Sequence, residues 1–257
     1  MIDTHTHLYF AEQYPDGGAG AVSRALDAGV SKMVFPNVNL ESCEPLLALH
    51  SQFREQTSVA PGLHPQDVDA DWRPVVDDIF ARFEGENPVA VGEVGIDLYF
   101  DPTYRTEQMD AFGYQLDKAR AAGLPVIIHS RAGLDETLEV VRIMGADCPP
   151  LLFHSFTSGP EDARRVIESV EGVKFGINGV VTFKNAPDVR EAVKEMGIDR
   201  IVLETDSPYL APVPLRGRVN ESAYLRHILE KVAEVTGVSA DEAERVTDAN
   251  ACRLFGI

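Results

Sequence analysis

Short apolar runs alternate with helix-like stretches along this chain, and no other feature narrows its fold as far. The runs are 1–7, 32–38 (KMVFPNV), 57–64 (TSVAPGLH), 88–95 (PVAVGEVG), 124–129 (LPVIIH), 150–155 (PLLFHS), 172–177 (GVKFGI) and 200–206 (RIVLETD). They are short and rich in β-branched residues, so each is expected to be a strand. Helix-like stretches lie between them, near 18–29, 41–54, 71–84, 102–123, 133–145, 159–170 and 186–197. Two more follow the last run, near 219–236 and 239–254. Asp101-Pro102 and Gly159-Pro160 mark helix starts, where Pro is tolerated and Asp can cap. Gly123 stops a helix just before a buried run. Eight strands alternating with helices predict an α/β fold, a (β/α)8 TIM barrel. A doubly wound open sheet is the competing arrangement. No linker or low-complexity tract divides the 257 residues, so one barrel domain over 1–257 is expected.

Composition excludes several classes. No run approaches about 18 consecutive apolar residues, so no membrane span is expected. The N-terminus shows no basic segment followed by an apolar one, so no signal peptide is expected. Cys43, Cys148 and Cys252 are odd in number and far apart, which fits reduced thiols in a cytoplasmic protein. Lys and Arg number 23 against 41 Asp and Glu, a net charge of −18. A body this acidic repels phosphate backbones at long range, which argues against a broad nucleic-acid-binding surface. A phosphate-bearing substrate would need a local cationic site.

In a barrel of this kind, functional side chains sit at the C-terminal ends of strands. The polar residues follow that rule. The first run ends in His5 and His7, the third at His64, the fourth in Glu93, the fifth in His129, the sixth in His154, and the eighth in Glu204 and Asp206. Side chains two apart on a strand share a face, so His5 and His7 should point together, as should Glu204 and Asp206. Asp3 shares that parity but lies deeper, which suggests a core hydrogen-bonding role supporting the ligands. His50 and His227 fall in helical stretches and are expected on the surface. A lone His or Glu at the tip of a buried strand is costly unless it is hydrogen-bonded or bound to a metal. Several converging on one rim point to a metal site. Imidazole with carboxylate suits Zn, Mn, Fe or Co more than an all-oxygen Mg or Ca cage. Five or six ligands exceed the usual three protein ligands of one catalytic zinc. Two divalent ions, with Glu93 between them, account for the count.

Read in order, these motifs resemble the TatD-type metal-dependent deoxyribonucleases, within the amidohydrolase-like barrel group. The resemblance rests on "DTHTHL" (3–8), "GLHP" (62–65), "VGEVGID" (91–97), "LPVIIHSR" (124–131), "FHSFTSG" (153–159), "GINGVVTFKNA" (176–186), "LETDSPYLAPVPLRGRVNE" (203–221) and "NACRLFG" (250–256). It implies that His5, His7 and Asp206 hold one metal and that Glu93 bridges to a second held by His129 and His154. Glu204 would be an optional ligand or a support behind the others. Mg joins the candidate ions on this footing. The sequence departs from the pattern at Gln66, where many relatives have another His, and at Ser155 and Ser158. Glu93 stands where related amidohydrolases often carry a bridging carboxylated Lys, which argues against dihydroorotase- or urease-like chemistry.

The implied activity is two-metal hydrolysis of a phosphodiester, with DNA as substrate, attacked from an end or as a single strand. Asp206 would accept the proton of the attacking water, and His64 would contact the phosphate or the leaving oxygen. Arg131, Lys184, Arg216 and Arg218 form a local basic exception at the active face and are the candidate phosphate contacts. Tyr209 and Phe156 are candidates for base stacking. A monomer is expected. Another amidohydrolase-like hydrolase, such as a lactonase, deacetylase or phosphotriesterase, is the competing reading, and a non-catalytic accessory scaffold a more distant one.

Overall fold

A computed structural model describes all residues from Met1 to Ile257. Eight strands alternate with helices: β1 (Ile2–Asp3), α1 (Gly17–Asp27), β2 (Lys32–Pro36), α2 (Leu40–Gln52), β3 (Thr57–Ala60), α3 (Trp72–Arg82), β4 (Val91–Asp97), α4 (Arg105–Ala122), β5 (Val126–Arg131), α5 (Leu134–Met144), β6 (Leu151–Phe153), α6 (Pro160–Ser169), β7 (Lys174–Ile177), α7 (Pro187–Met196) and β8 (Ile201–Leu203). Then come α8 (Leu225–Thr236) and α9 (Ala240–Phe255). All strand pairs are parallel. Regular ladders order β1-β2-β3 and β4 through β8 as two sheets.

Single hydrogen bonds close both seams between the sheets. Between β3 and β4, the Val89 N–H donates to Val59 O at 3.0 Å and the Gly92 N–H to Pro61 O at 2.9 Å. Between β8 and β1, the Thr4 N–H donates to Leu203 O at 3.0 Å and the Asp206 N–H to His5 O at 2.9 Å, while Thr6 bridges Ser207. The fold is a (β/α)8 barrel whose two irregular seams both border the polar rim. One face of the barrel wall gathers Ile2, Val34, Ala60, Ile127, Leu152 and Val202, and Ala251 and Phe255 of α9 pack onto it.

Local chemistry explains the punctuation. Asn39 and Ser42 form a reciprocal capping box at α2, and Ser239 caps α9 through the Glu242 N–H. Pro160 and Pro187 open α6 and α7, where the missing N–H has no intrahelical partner to lose. Two expectations are corrected. Asp101-Pro102 does not start α4: Asp101 accepts from the Thr103 N–H and forms a separate turn, so the helix begins at Arg105. His50 is buried, 5% exposed, because its Nδ1 reaches Thr57 Oγ1 at 2.7 Å and joins α2 to β3. His227 is half-buried on α8. No helix is long and apolar enough to cross a membrane.

Candidate metal centre

Two strands, β4 and β5, and the segments just beyond β1, β3, β6 and β8 bring the polar residues to one rim. β4 carries an irregularity: Val91 pairs with Val126, but Val94 pairs with Ile128. The extra residue frees the chain around Glu93 from regular pairing, as bulges near active sites do. Gly95 at φ +139 lies against the β5 backbone, where a Cβ would fall 2.0 Å from His129 O. Gly176 leaves room for Glu204, since a Cβ there would lie 2.0 Å from Glu204 Oε2.

Two groups of ligand atoms share Glu93. In the first, His5 Nε2 and His7 Nε2 lie 3.1 Å apart. His5 Nε2 is 3.3 Å from Glu93 Oε2, and Asp206 Oδ1 is 3.8 Å from His5 Nε2 and 3.6 Å from His7 Nε2. In the second, Glu93 Oε1 lies 2.6 Å from His154 Nε2 and 2.8 Å from His129 Nδ1, and those two nitrogens are 3.3 Å apart. His64 Nε2 stands 3.5 Å from the same oxygen. Bonds of about 2.0–2.1 Å in a tetrahedral site separate ligand atoms by about 3.3 Å, which the first group approaches, while in the second Glu93 Oε1 sits at hydrogen-bond distance from both imidazoles and the two nitrogens keep that spacing. Each Glu93 oxygen serves one group.

Neighbouring hydrogen bonds fix which ring nitrogen is free. The Tyr9 hydroxyl donates to Pro36 O, so at 2.6 Å it must accept from His7 Nδ1–H, leaving the His7 Nε2 lone pair for an ion. His129 Nε2 meets Asp97 Oδ2 at 3.0 Å and donates to it, which leaves Nδ1 toward Glu93. Asp97 is held in turn by Gln66 Nε2 at 2.9 Å and by the Tyr99 N–H at 3.0 Å. His64 behaves oppositely: its Nδ1 accepts from the Gln66 N–H at 3.1 Å, so Nε2 carries the proton and is a donor. Burial lowers the His64 pKa to about 3, so the ring is neutral.

Charge is tightly shared. Burial pushes the Glu93 carboxyl up, but His154, His64 and His5 pull it further down, well below the usual carboxylate range. Burial also raises Asp206, and His7 and His5 more than offset it, so it too ends lowered. His5 and His154 stack with centroids 3.9 Å apart. Burial and then His154 lower His5 to about 4, while Glu93 and Glu204 outweigh burial and raise His154. Burial lifts Glu204 to about 7, with Oε1 taking the Ser155 N–H. Of the four buried side-chain atoms without any partner, His5 Nδ1, His154 Nδ1 and Glu204 Oε2 belong to this cluster. Such atoms are costly when unpaired, and they lie behind a cluster of imidazoles and carboxylates whose donor set fits a metal site.

The remaining candidates fall around this cluster. Asp3 is fully buried and turns to Thr205, accepting its N–H at 2.9 Å and its hydroxyl at 2.6 Å. Arg131 lines the cavity of about 660 Å³ that contains Glu93, His129, His154 and Asp206. Arg216 lies over the Phe183 ring at 4.3 Å, and Lys184, Arg216 and Arg218 are all exposed. Like Arg73 and Arg142, these four cations form no ion pairs, whereas Arg24, Arg105 and Arg165 each engage a carboxylate. Tyr209 is 56% exposed on the cavity rim. Phe156 cannot stack on a base, because it is buried edge-on against Phe175. Asp97 and Tyr9 were missed in the sequence. Each lies an even number of residues beyond a recognised ligand, Asp97 four after Glu93 and Tyr9 two after His7, and the same face-sharing rule could have found them.

The chain is similar to known proteins over its whole length. A family model described as TatD related DNase matches residues 2–256. An uncharacterized metal-dependent hydrolase, YabD, of Bacillus subtilis is 32% identical over 263 residues, covering 100% of this chain and 99% of that protein. A 3'-5' ssDNA/RNA exonuclease TatD of Klebsiella pneumoniae is 34% identical over 263 residues, covering 100% of this chain and 98% of that protein. The crystal structure of YJJV, a TatD homolog from Escherichia coli K12, superposes with a TM-score of 0.87 at 26% identity, covering 100% of this chain and 98% of that one.

Proposed function

The chain belongs to the TatD-related DNase family, and from that premise we propose that it is a metal-dependent nuclease that hydrolyses phosphodiesters of single-stranded DNA, or of DNA ends, as an exonuclease. The observation that carries this reading is the position of Glu93 between two sets of ligand atoms, Oε2 beside His5 and His7, which Asp206 also approaches, and Oε1 beside His129 and His154. Those six residues would hold two divalent ions. When bound, such a pair supplies Lewis acidity that makes water acidic enough to attack at neutral pH and neutralises charge on the phosphoryl oxygens.

The chain's own residues do the rest. Asp206 turns Oδ1 to the histidines and has its second oxygen to accept the proton of the attacking water. His64, neutral with a proton on Nε2, donates a hydrogen bond to a phosphoryl or leaving oxygen and is not a ligand. Arg131, Lys184, Arg216 and Arg218, free of carboxylate partners, hold the phosphates at the mouth. Asp3 anchors Thr205 and so fixes the chain carrying Asp206, and Glu204 backs His154. Residues 1–257 act as one hydrolase unit, as a monomer.

The test is direct. Metal-loaded protein should release nucleotides from single-stranded DNA, chelation should stop the release, and Glu93→Gln and Asp206→Asn should each lose at least about 1,000-fold in kcat/KM with the fold intact. Full activity in either variant, or cleavage of lactones or amides but no phosphodiester, would overturn the reading.

A further inference from the structure

Exposed apolar side chains are unevenly placed on this barrel. Of seven large ones, all but Ile143 lie on the loops that follow β4 and β8, and Phe100 and Tyr209 among them line the cavity of the candidate site. Tyr99 and Phe100 stand out at 60% and 69% exposure. They are nonetheless ordered against each other, edge to face, with centroids 4.8 Å apart. The Arg131 guanidinium lies 3.9 Å from the Tyr99 ring centre and 4.7 Å from that of Phe100, and forms no ion pair. The group is tied to the site beneath it. The Tyr99 N–H donates to Asp97, the carboxylate that orients His129, and the Leu98 N–H donates to Arg131 O. Phe100 and Arg131 line the same cavity as Glu93 and His129.

We propose that Tyr99, Phe100 and Arg131 form a stacking subsite for an unpaired nucleobase, next to the phosphodiester that is cut; this rests on the nuclease reading above. Every base has a π face, so an aromatic platform accepts any sequence, but only when the base is out of a duplex. Arg131 can lie over the rings and still turn N–H groups to a phosphate. The overall charge favours such a platform. A chain with a net charge of −18 cannot hold a strand by long-range attraction, so stacking supplies the grip that a basic groove supplies elsewhere. The subsite thereby selects single strands over duplex without reading sequence.

The experiment compares two substrates on metal-loaded protein: a short oligothymidylate, and the same strand with abasic residues near its 3' end. Wild-type kcat/KM should favour the base-bearing strand by about tenfold or more. In the Tyr99→Ala/Phe100→Ala double variant that ratio should fall about tenfold, toward one, while Tyr99→Phe keeps it. An unchanged ratio in the double variant would overturn the subsite. If wild type cleaves neither strand, the nuclease reading fails, and equilibrium binding of the two strands, fluorescein-labelled, then decides the subsite alone. Preference for the base-bearing strand, lost in the double variant, supports it; equal binding of both strands by wild type refutes it.

Discussion

Single hydrogen bonds decide which histidines of this centre can be ligands. His7 and His129 each spend one ring nitrogen as a donor, to Tyr9 and to Asp97, and so present the other as a lone pair. His64 spends its lone pair on the Gln66 N–H and presents a proton. Composition and spacing alone cannot separate these roles, because all three are histidines at strand ends. The Asp97 carboxylate is the support most open to test. Outer partners of this kind typically carry 10- to 100-fold in metal affinity. Asp97→Ala should therefore weaken binding at the His129 half by roughly that factor, measured by competition with a chromophoric chelator. Unchanged affinity would show that His129 needs no such orientation. Gln66, a departure from the family pattern, is used to hold Asp97 in place.

Elements were largely legible in the sequence, and the exceptions have physical causes. Each of the eight strands falls on one of the apolar runs, because burial on both faces leaves near-continuous hydrophobic stretches. Six lie inside their runs and are shorter, with β1 only Ile2–Asp3 and β8 only Ile201–Leu203, since their rim ends leave the ladder to place side chains, whereas β4 and β5 continue past their runs to Asp97 and Arg131. Asp206, at φ +55, shows that departure directly. The connection from Thr205 to Glu221 carries its own anchor, which the sequence did not reveal because its partners are not local. Asn220 is fully buried and its amide donates to Thr205 O at 2.8 Å and Tyr209 O at 2.6 Å. Asn220→Ala removes both bonds beside Asp206. Urea unfolding should show a loss of about 2–3 kcal/mol. A loss under about 0.5 kcal/mol would mean that the loop holds its shape without the amide.

At the scale of the whole molecule, the acidic body and the mouth of the cavity differ. A net charge of −18 covers the chain, while Arg131, Phe100 and Tyr209 line the cavity that holds Glu93 and Asp206. That distribution is half-visible in sequence: Arg131, Arg216 and Arg218 stand out on an acidic chain, but nothing local marks Tyr99 and Phe100, whose relation to Arg131 comes from the pairing of β4 with β5. The central claim is that Glu93 joins two cation sites in one centre. Its most direct test is metal stoichiometry, by elemental analysis of chelator-stripped protein reloaded with Mn or Zn and freed of unbound ion. Two ions per chain are predicted for wild type, and one for His5→Ala/His7→Ala, which keeps only the His129 and His154 side. A single ion in wild type, or two retained in that double variant, would contradict it.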